Sequence, residues 1–399
     1  MKQPSAAEFI ALVAMLISLV ALSIDSMLPA LPAIAAEFSL SDLNDQQYII
    51  TSLFLGLSLG QLIYGPLSDA YGRKYPIYAG IGIFVIGSVL CLLTPSYELL
   101  LAGRFLQGLG ASSARIVTLA IVRDRFEGAA MARIMSFVMA VFIFIPALAP
   151  LLGQSILFFG DWHLIFAFIL IYGLVAVTWF GVRLEESLPA QHRRPLSLKS
   201  LGQGIVFIFK QPVSMAAIVV AGLMFGGFVA YLSTAQQILG DLYQTGDAFA
   251  LYFALLALGI GLASIVNARI VSRLGVLRVC LLGLVLQCGL SLAMVLVSVL
   301  LFDQLPPLWL FMLYCFPLFF CLGLQFGNLN ALAMQPLGNI AGLGASVSGA
   351  VSTMIAIPLG AFVGQLYNGT PTPLITGFLV FGIVGLLFLL ALKNRGDIN

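Results

Sequence analysis

Apolar runs long enough to cross a lipid bilayer recur twelve times along this chain, separated by short polar connections. A crossing helix needs about 20 such residues. The polar punctuation predicts helices over 8–33, 47–68, 75–94, 98–122, 131–156, 163–183, 212–236, 246–268, 276–301, 307–332, 342–366 and 372–392. With 61% hydrophobic residues, 9% charged residues and a mean hydropathy of +1.09, the chain is far from a soluble domain, whose charged fraction is roughly 25%. Hydrocarbon requires backbone polar groups to be satisfied internally, so the expected fold is an all-α polytopic membrane protein. Met1 to Ala7 carries one Lys and is followed by no short apolar core with a small-residue cleavage site. The first helix, from Glu8, is therefore expected to be retained.

The basic residues decide the orientation. Of 18 Lys and Arg, all but Arg104 and Arg115 fall at the termini or in alternate connections. The other connections collect Glu37, Asp42, Asp45, Glu98, Asp161, Asp241, Asp247 and Asp303. Short loops rich in Lys and Arg stay in the cytoplasm, so both chain ends are expected there, on a multi-pass protein with lipid as its constant partner. A net charge of +2, spread thinly, excludes a nucleic-acid partner. All five cysteines lie in apolar stretches without a C-x-x-C pair, and His163 and His192 stand apart. No metal, cofactor or disulfide is expected, and with no Ser/His or Cys/His cluster within a span the chain is not read as an enzyme. Trp162, Trp179 and Trp309 fall at helix ends, where an amphipathic ring suits the headgroup layer.

The longest polar segment, 184–211, divides the spans six and six, giving an N-terminal bundle over 1–183, a cytoplasmic linker and a C-terminal bundle over 212–399. The halves look related. An offset of 203 places Gly72 on Gly275, Leu67 on Ile270 and Asp69 on Ser272, in the connections after the second and eighth spans. Two related six-helix bundles facing a central cavity are the arrangement of paired transporter halves.

Charges left inside spans are costly and usually functional. Asp25 is the one carboxylate well inside a span, some 22 Å from the cytoplasmic side counted from Ile10. A carboxyl there can take up and release a proton as access alternates, or it can hydrogen-bond backbone loosened by Pro29 and Pro32. Arg104 lies at a similar depth on the fourth span, where it is expected to meet Asp25 as a switchable or a structural pair. Arg115 follows eleven residues later on the same helical face, with Gly108 and Ala111 between and Gln107 on the flank. That face suits a cavity wall, although Arg115 also has the reach to snorkel to headgroups. Gly65, Leu67, Asp69, Gly72, Arg73 and Lys74 form a tight, polar turn suited to a latch. Pro146, Pro150 and Gly153 interrupt the fifth span and are expected to bend it. The C-terminal half offers aromatics, among them Phe228, Tyr231, Tyr252 and Tyr314, and neutral polar groups such as Gln325 and Asn328, a wall suited to a lipophilic ligand.

These motifs resemble known ones. Gly65-Pro66-Leu67-Ser68-Asp69-Ala70-Tyr71-Gly72-Arg73-Lys74 is similar to motif A of the major facilitator superfamily, with Ala70 in place of the frequent Arg. Arg104-Phe105-Leu106-Gln107-Gly108 resembles motif B, whose Arg is linked to proton transfer. Ala149-Pro150-Leu151-Leu152-Gly153 resembles antiporter motif C, with Ala149 where Gly is usual. Asp25 with Leu28-Pro29-Ala30-Leu31-Pro32, Arg104 to Gln107, Arg123-Asp124 and Gly364 to Phe378 resembles the bicyclomycin and chloramphenicol resistance (Bcr/CflA) exporters. The resemblance implies the major facilitator fold and efflux of small drug-like molecules in exchange for protons, by a monomer in a bacterial inner membrane. The alternative is a proton-coupled carrier of a natural metabolite on the same fold.

Overall fold

The computed structural model describes residues 4–193 and 196–394; Arg194 and Pro195 of the linker and both chain ends lie outside the described residues, as do some side chains of the fifth span between 129 and 143. Every regular element among the described residues is helical. The chain divides into two compact units, Met1–Lys199 and Ser200–Asn399.

The first unit holds α1 (Ala6–Asp25), α2 (Leu31–Glu37), α3 (Tyr48–Tyr71), α4 (Lys74–Leu92), α5 (Tyr97–Arg125), α6 (Gly128–Leu157) and α7 (His163–Arg183). The predicted first span is broken. α1 stops at Asp25, a 3₁₀ turn covers Leu28–Ala30, and α2 resumes with Pro32 in its first turn. Pro29 and Pro32 have no N–H to give to a preceding turn, which ends the regular ladder just beyond Asp25. At its start α1 is capped by Ser5, whose hydroxyl accepts from the Glu8 N–H at 3.2 Å. The Glu8 carboxylate then takes Nε of Arg183 at 2.5 Å and Nη2 at 2.7 Å, tying the start of α1 to the end of α7. α5 is capped by Ser96, which accepts from the Leu99 N–H at 3.3 Å. With Glu98 in its first turn and Arg123 and Arg125 in its last, α5 is charged to complement its own dipole.

α8 (Leu198–Phe209), within the predicted linker, leads into the second unit. That unit contains α9 (Pro212–Ala235), α10 (Phe249–Leu274), α11 (Val276–Leu301), α12 (Leu308–Met334), α13 (Ala341–Gln365) and α14 (Thr372–Asn394). α9 continues into a wide π-turn over Gln236–Leu242. The sequence offset has a structural counterpart. Gly72 between α3 and α4 has φ +92°, and Gly275 between α10 and α11 has φ +81°, so both halves turn through a glycine in the left-handed region.

Among the described residues, eleven helical segments are long and apolar enough to cross a membrane. The fifth predicted span, 131–156, lies on α6, a 30-residue helix whose described apolar stretch is the shorter Phe144–Leu157. Large apolar side chains such as Leu286, Leu300 and Leu313 stand exposed at 53%, 74% and 64%. Surfaces of that kind are stable against lipid tails, not water.

Candidate functional site

Asp25 ends α1 and is 4% exposed. Its neighbours do not serve it. The Ser23 hydroxyl donates back to the Leu19 carbonyl at 2.6 Å and the Ser26 hydroxyl to the Leu22 carbonyl at 2.5 Å. Among the described residues the Asp25 carboxyl has neither a hydrogen bond nor an ion pair. α6 closes against this point at Gly153, where a Cβ would collide with the Ser26 carbonyl oxygen. The motif-C glycine thus lets α6 backbone touch the break after Asp25. α6 itself runs on through Pro146 and Pro150 as one helix.

Arg104 is fully buried, and its contacts run to α3, α7 and its own helix α5. Its Nε donates to the Ile49 carbonyl at 3.2 Å, its Nη1 to Gln107 Oε1 at 2.9 Å, and its guanidinium lies 5.8 Å from the Phe166 ring centre. Nη2 has no partner among the described residues. The expected Asp25–Arg104 ion pair is therefore not formed in this structure. Gln107, expected on a cavity wall, is also fully buried; it passes the contact on, donating from Nε2 to Ser88 Oγ at 2.9 Å, and Ser88 donates to the Phe84 carbonyl at 2.8 Å. Arg115, further along α5, is half-buried.

The turn between α3 and α4 is a built ionic knot. Arg73, 6% exposed, donates from Nε and Nη2 to the two oxygens of Asp124 at 2.7 and 3.1 Å, and from Nη1 to Asp69 at 2.6 Å and Ser68 Oγ at 2.8 Å. Ser68 in turn donates to the Gly65 carbonyl at 2.9 Å. Glu186 completes the knot by capping α4: its carboxylate accepts from the backbone N–H of Arg73 at 2.8 Å and of Lys74 at 3.0 Å, and from that of Leu188 at 3.0 Å. An anion at a helix N-terminus is favoured by the exposed N–H groups and the dipole together. Burial pushes the Glu186 carboxyl up, but the three N–H donors and the charge of Arg193 outweigh it, and the net shift is downward. Lys74 reaches the Gly181 carbonyl at 3.3 Å, while Leu67 is half-buried beside the knot. The sequence reading placed Asp69, Gly72, Arg73 and Lys74 together and missed Glu186 as their partner. The available signal was no more than two adjacent carboxylates, Glu185 and Glu186, just after α7.

In the second unit, Phe228 stacks on Phe225 and meets Phe319 and Phe326 edge-on, all at about 6.0 Å. Tyr231 joins the same layer through Phe319, 4.7 Å away, and Phe253, 5.8 Å away. Tyr314 belongs to another layer, where its hydroxyl bonds Ser291 at 3.0 Å. Tyr252 is half-buried. The four tyrosine and phenylalanine positions expected on one wall are thus divided between at least two places. Neutral amides run between helices: Gln325 Nε2 donates to Gln287 Oε1 at 3.2 Å, Gln287 Nε2 to the Phe378 carbonyl at 2.9 Å, and Asn328 Nδ2 to Asn267 Oδ1 at 2.7 Å. Among the described residues no group of three or more His, Cys, Asp or Glu is placed to hold a metal.

The sequence profile of the Major Facilitator Superfamily matches residues 13–364. The chain belongs to the Major Facilitator Superfamily. Among members of this superfamily it is 30% identical to an uncharacterized MFS-type transporter, YdgK, of Bacillus subtilis over 393 residues, 96% of this chain and 95% of the relative. It is 26% identical to a bicyclomycin resistance protein homolog of Haemophilus influenzae, covering 99% and 100% of the two chains. It is 29% identical to the multidrug resistance protein MdtL of Shigella dysenteriae over 64% of this chain and 63% of that one. The resemblance to the Bcr/CflA drug/H⁺ antiporters rests on these relatives as well as on the motifs. Two solved structures share the fold: a D-xylose-proton symporter superposes with TM-score 0.73 at 14% identity, covering 97% of each chain, and the human organic anion transporter MFSD10 with 0.68 at 15%, covering 97% and 100%. The chain is a multi-pass membrane transporter.

Proposed function

We propose that this transporter exports small lipophilic drugs in exchange for protons across the bacterial inner membrane, by alternating access. In this reading α6 completes twelve spans, and both chain ends lie in the cytoplasm, as the sorting of Lys and Arg requires. Two relatives bear names of bicyclomycin and multidrug resistance, which supports a drug as cargo. The observation that carries the proton is Asp25. A buried carboxyl with no hydrogen bond and no cation against it among the described residues does not serve there as a structural brace, and its position beside the break after α1 puts it where chain geometry changes. Arg104 acts on it through its field across the unit rather than through a fixed contact, and Gln107 and Ser88 hold the guanidinium in place.

The remaining parts take roles around this pair. The Arg73 knot latches the cytoplasmic end of the first unit when that side closes. Pro146, Pro150 and Gly153 let α6 follow the break beyond Asp25 as access changes. Phe228 and Tyr231 offer an apolar face to the cargo, with Tyr252, Tyr314 and Arg115 as further wall residues. Inverted vesicles test the whole reading: an acidified interior should drive drug uptake, and added drug should release protons. Drug movement that ignores the proton gradient, in the wild type, overturns it.

A further inference from the structure

The turn between α10 and α11 repeats the backbone of the turn between α3 and α4 but not its chemistry. In the first unit Arg73 is taken up by Asp69 and Asp124. The second copy gathers three arginines, Arg269 and Arg273 near the end of α10 and Arg278 in the first turn of α11, and all three are exposed. None of them has a side-chain hydrogen bond or an ion pair among the described residues. The described acids of the second unit lie elsewhere. Asp247 precedes α10 and Asp303 follows α11, each more than about 30 Å from the arginines along its helix, and Asp241 sits in the turn beyond α9.

The same arginines end two apolar stripes. Along α10 the exposed Leu258, Leu262 and Ile265 lead on to Arg269 and Arg273. Steps of three and four residues keep to one face of a helix, so the stripe and both guanidiniums share it. α11 runs the pattern in reverse: Arg278 is followed on its own face by the exposed Leu282, Val285 and Leu292. Two helices joined through the single residue Gly275 thus carry exposed apolar stripes that converge on three guanidiniums without a carboxylate.

We infer that this corner binds an anionic phospholipid, its phosphate held by Arg269, Arg273 and Arg278 and its acyl chains laid along the exposed stripes of α10 and α11. With the orientation proposed above, the lipid belongs to the cytoplasmic leaflet; the site does not depend on what the protein carries. A guanidinium offers a fork of donors that matches two phosphate oxygens, and basic residues beside a span attract anionic lipid. A free phosphate satisfies the arginines and leaves the stripes bare, whereas a zwitterionic lipid covers the stripes and brings a cation of its own to the arginines. An anionic lipid fits both parts.

The test is equilibrium binding to the full chain in neutral detergent, corrected for empty micelles, of phosphatidylglycerol and phosphatidylcholine bearing the same fluorescent acyl chain. The wild type is expected to bind phosphatidylglycerol at least about tenfold more tightly, and excess inorganic phosphate should not displace it. Arg269→Gln, Arg273→Gln and Arg278→Gln combined should bring the two affinities within about twofold of each other. Lys199→Gln, Lys210→Gln and Lys393→Gln combined remove the same charge from other sites, and should leave the preference as in the wild type. If the triple arginine variant does not fold, Arg269→Gln with Arg273→Gln decides, with an expected loss of at least about threefold in the ratio. Equal affinity for the two lipids, displacement by inorganic phosphate, a ratio unmoved in the folded arginine variants, or an equal loss in the lysine variant overturns the inference. No transport is read, so the outcome is separate from the fate of the proposed drug and proton exchange.

Discussion

At the scale of single residues, Asp25 and Arg104, two of the charges inside the first unit, differ in how they are held. Asp25 has no hydrogen-bond or ion-pair partner among the described residues, so Asp25→Asn is expected to leave the melting temperature unchanged or slightly raised while abolishing proton release on drug addition. A folded Asp25→Asn protein that still exchanges protons for drug removes Asp25 from the mechanism. Gln107 is the opposite case. Leucine there would strand Nη1 of a buried guanidinium, while Ser88 keeps its bond to the Phe84 carbonyl, and leaving a buried polar group unpaired costs about 1–3 kcal/mol. Thermal unfolding in detergent should register that loss in Gln107→Leu, and an unchanged midpoint would show that water replaces the amide. Sequence alone identified Asp25 and Arg104 as intramembrane charges, because any ionisable residue in a run of Leu, Ile and Val stands out. It could not say that they avoid each other. Depth along a helix is legible from the count of residues, but rotation about the helix axis is set by packing, and Arg104 is turned towards α3, α4 and α7 by the Ile49 carbonyl, Gln107 and Phe166.

At the scale of elements, the turn between α3 and α4 joins a required backbone conformation to a borrowed cap. Gly72 has φ +92°, and a Cβ there would lie 2.6 Å from Glu186 Oε2. Gly72→Ala therefore strains the backbone by about 1–2 kcal/mol and also pushes away the cap of α4. The expected readout is faster hydrogen exchange in the first turn of α4, beginning at Lys74, with α5 unaffected. Glu186→Gln keeps the shape and removes the charge, at a cost of about 1 kcal/mol for a half-exposed group. Since the folded protein holds this carboxyl below its ordinary range, its stabilisation is present above the unfolded-state value and lost as the pH falls through the folded one. The difference in melting temperature between wild type and Glu186→Gln should accordingly be full near neutrality and vanish on strong acidification. A difference constant down to the lowest pH would assign the effect to packing. Glycine in a G-x-L-x-D-x-x-G-R-K pattern announces the turn itself, whereas a cap from 113 residues away leaves no local mark.

At the scale of the molecule, the boundary between the two compact units falls within the long polar segment 184–211, but the part that segment plays in the first unit was not legible in its sequence. Glu185 to Leu188 belongs to the first unit as a fastening, because Arg125 and Ser187 bond across it to the Glu185 carbonyl and to Asp124. Two ways of splitting the gene should therefore differ. Halves co-expressed with the break after His192 keep the cap of α4 within the first fragment, and that fragment should accumulate folded. A break after Arg183 removes Glu186, and the first fragment should become protease-sensitive at the α3–α4 turn; equal sensitivity in both designs would refute the fastening. The matching glycines at 72 and 275 carry one more implication. Both copies of the turn kept the same left-handed bend, yet the positions answering to Asp69, Arg73 and Lys74 are Ser272, Val276 and Leu277. If the halves descend from a duplicated ancestor, shape was inherited by both and electrostatics by one, so that a single lesion in the first copy leaves no spare.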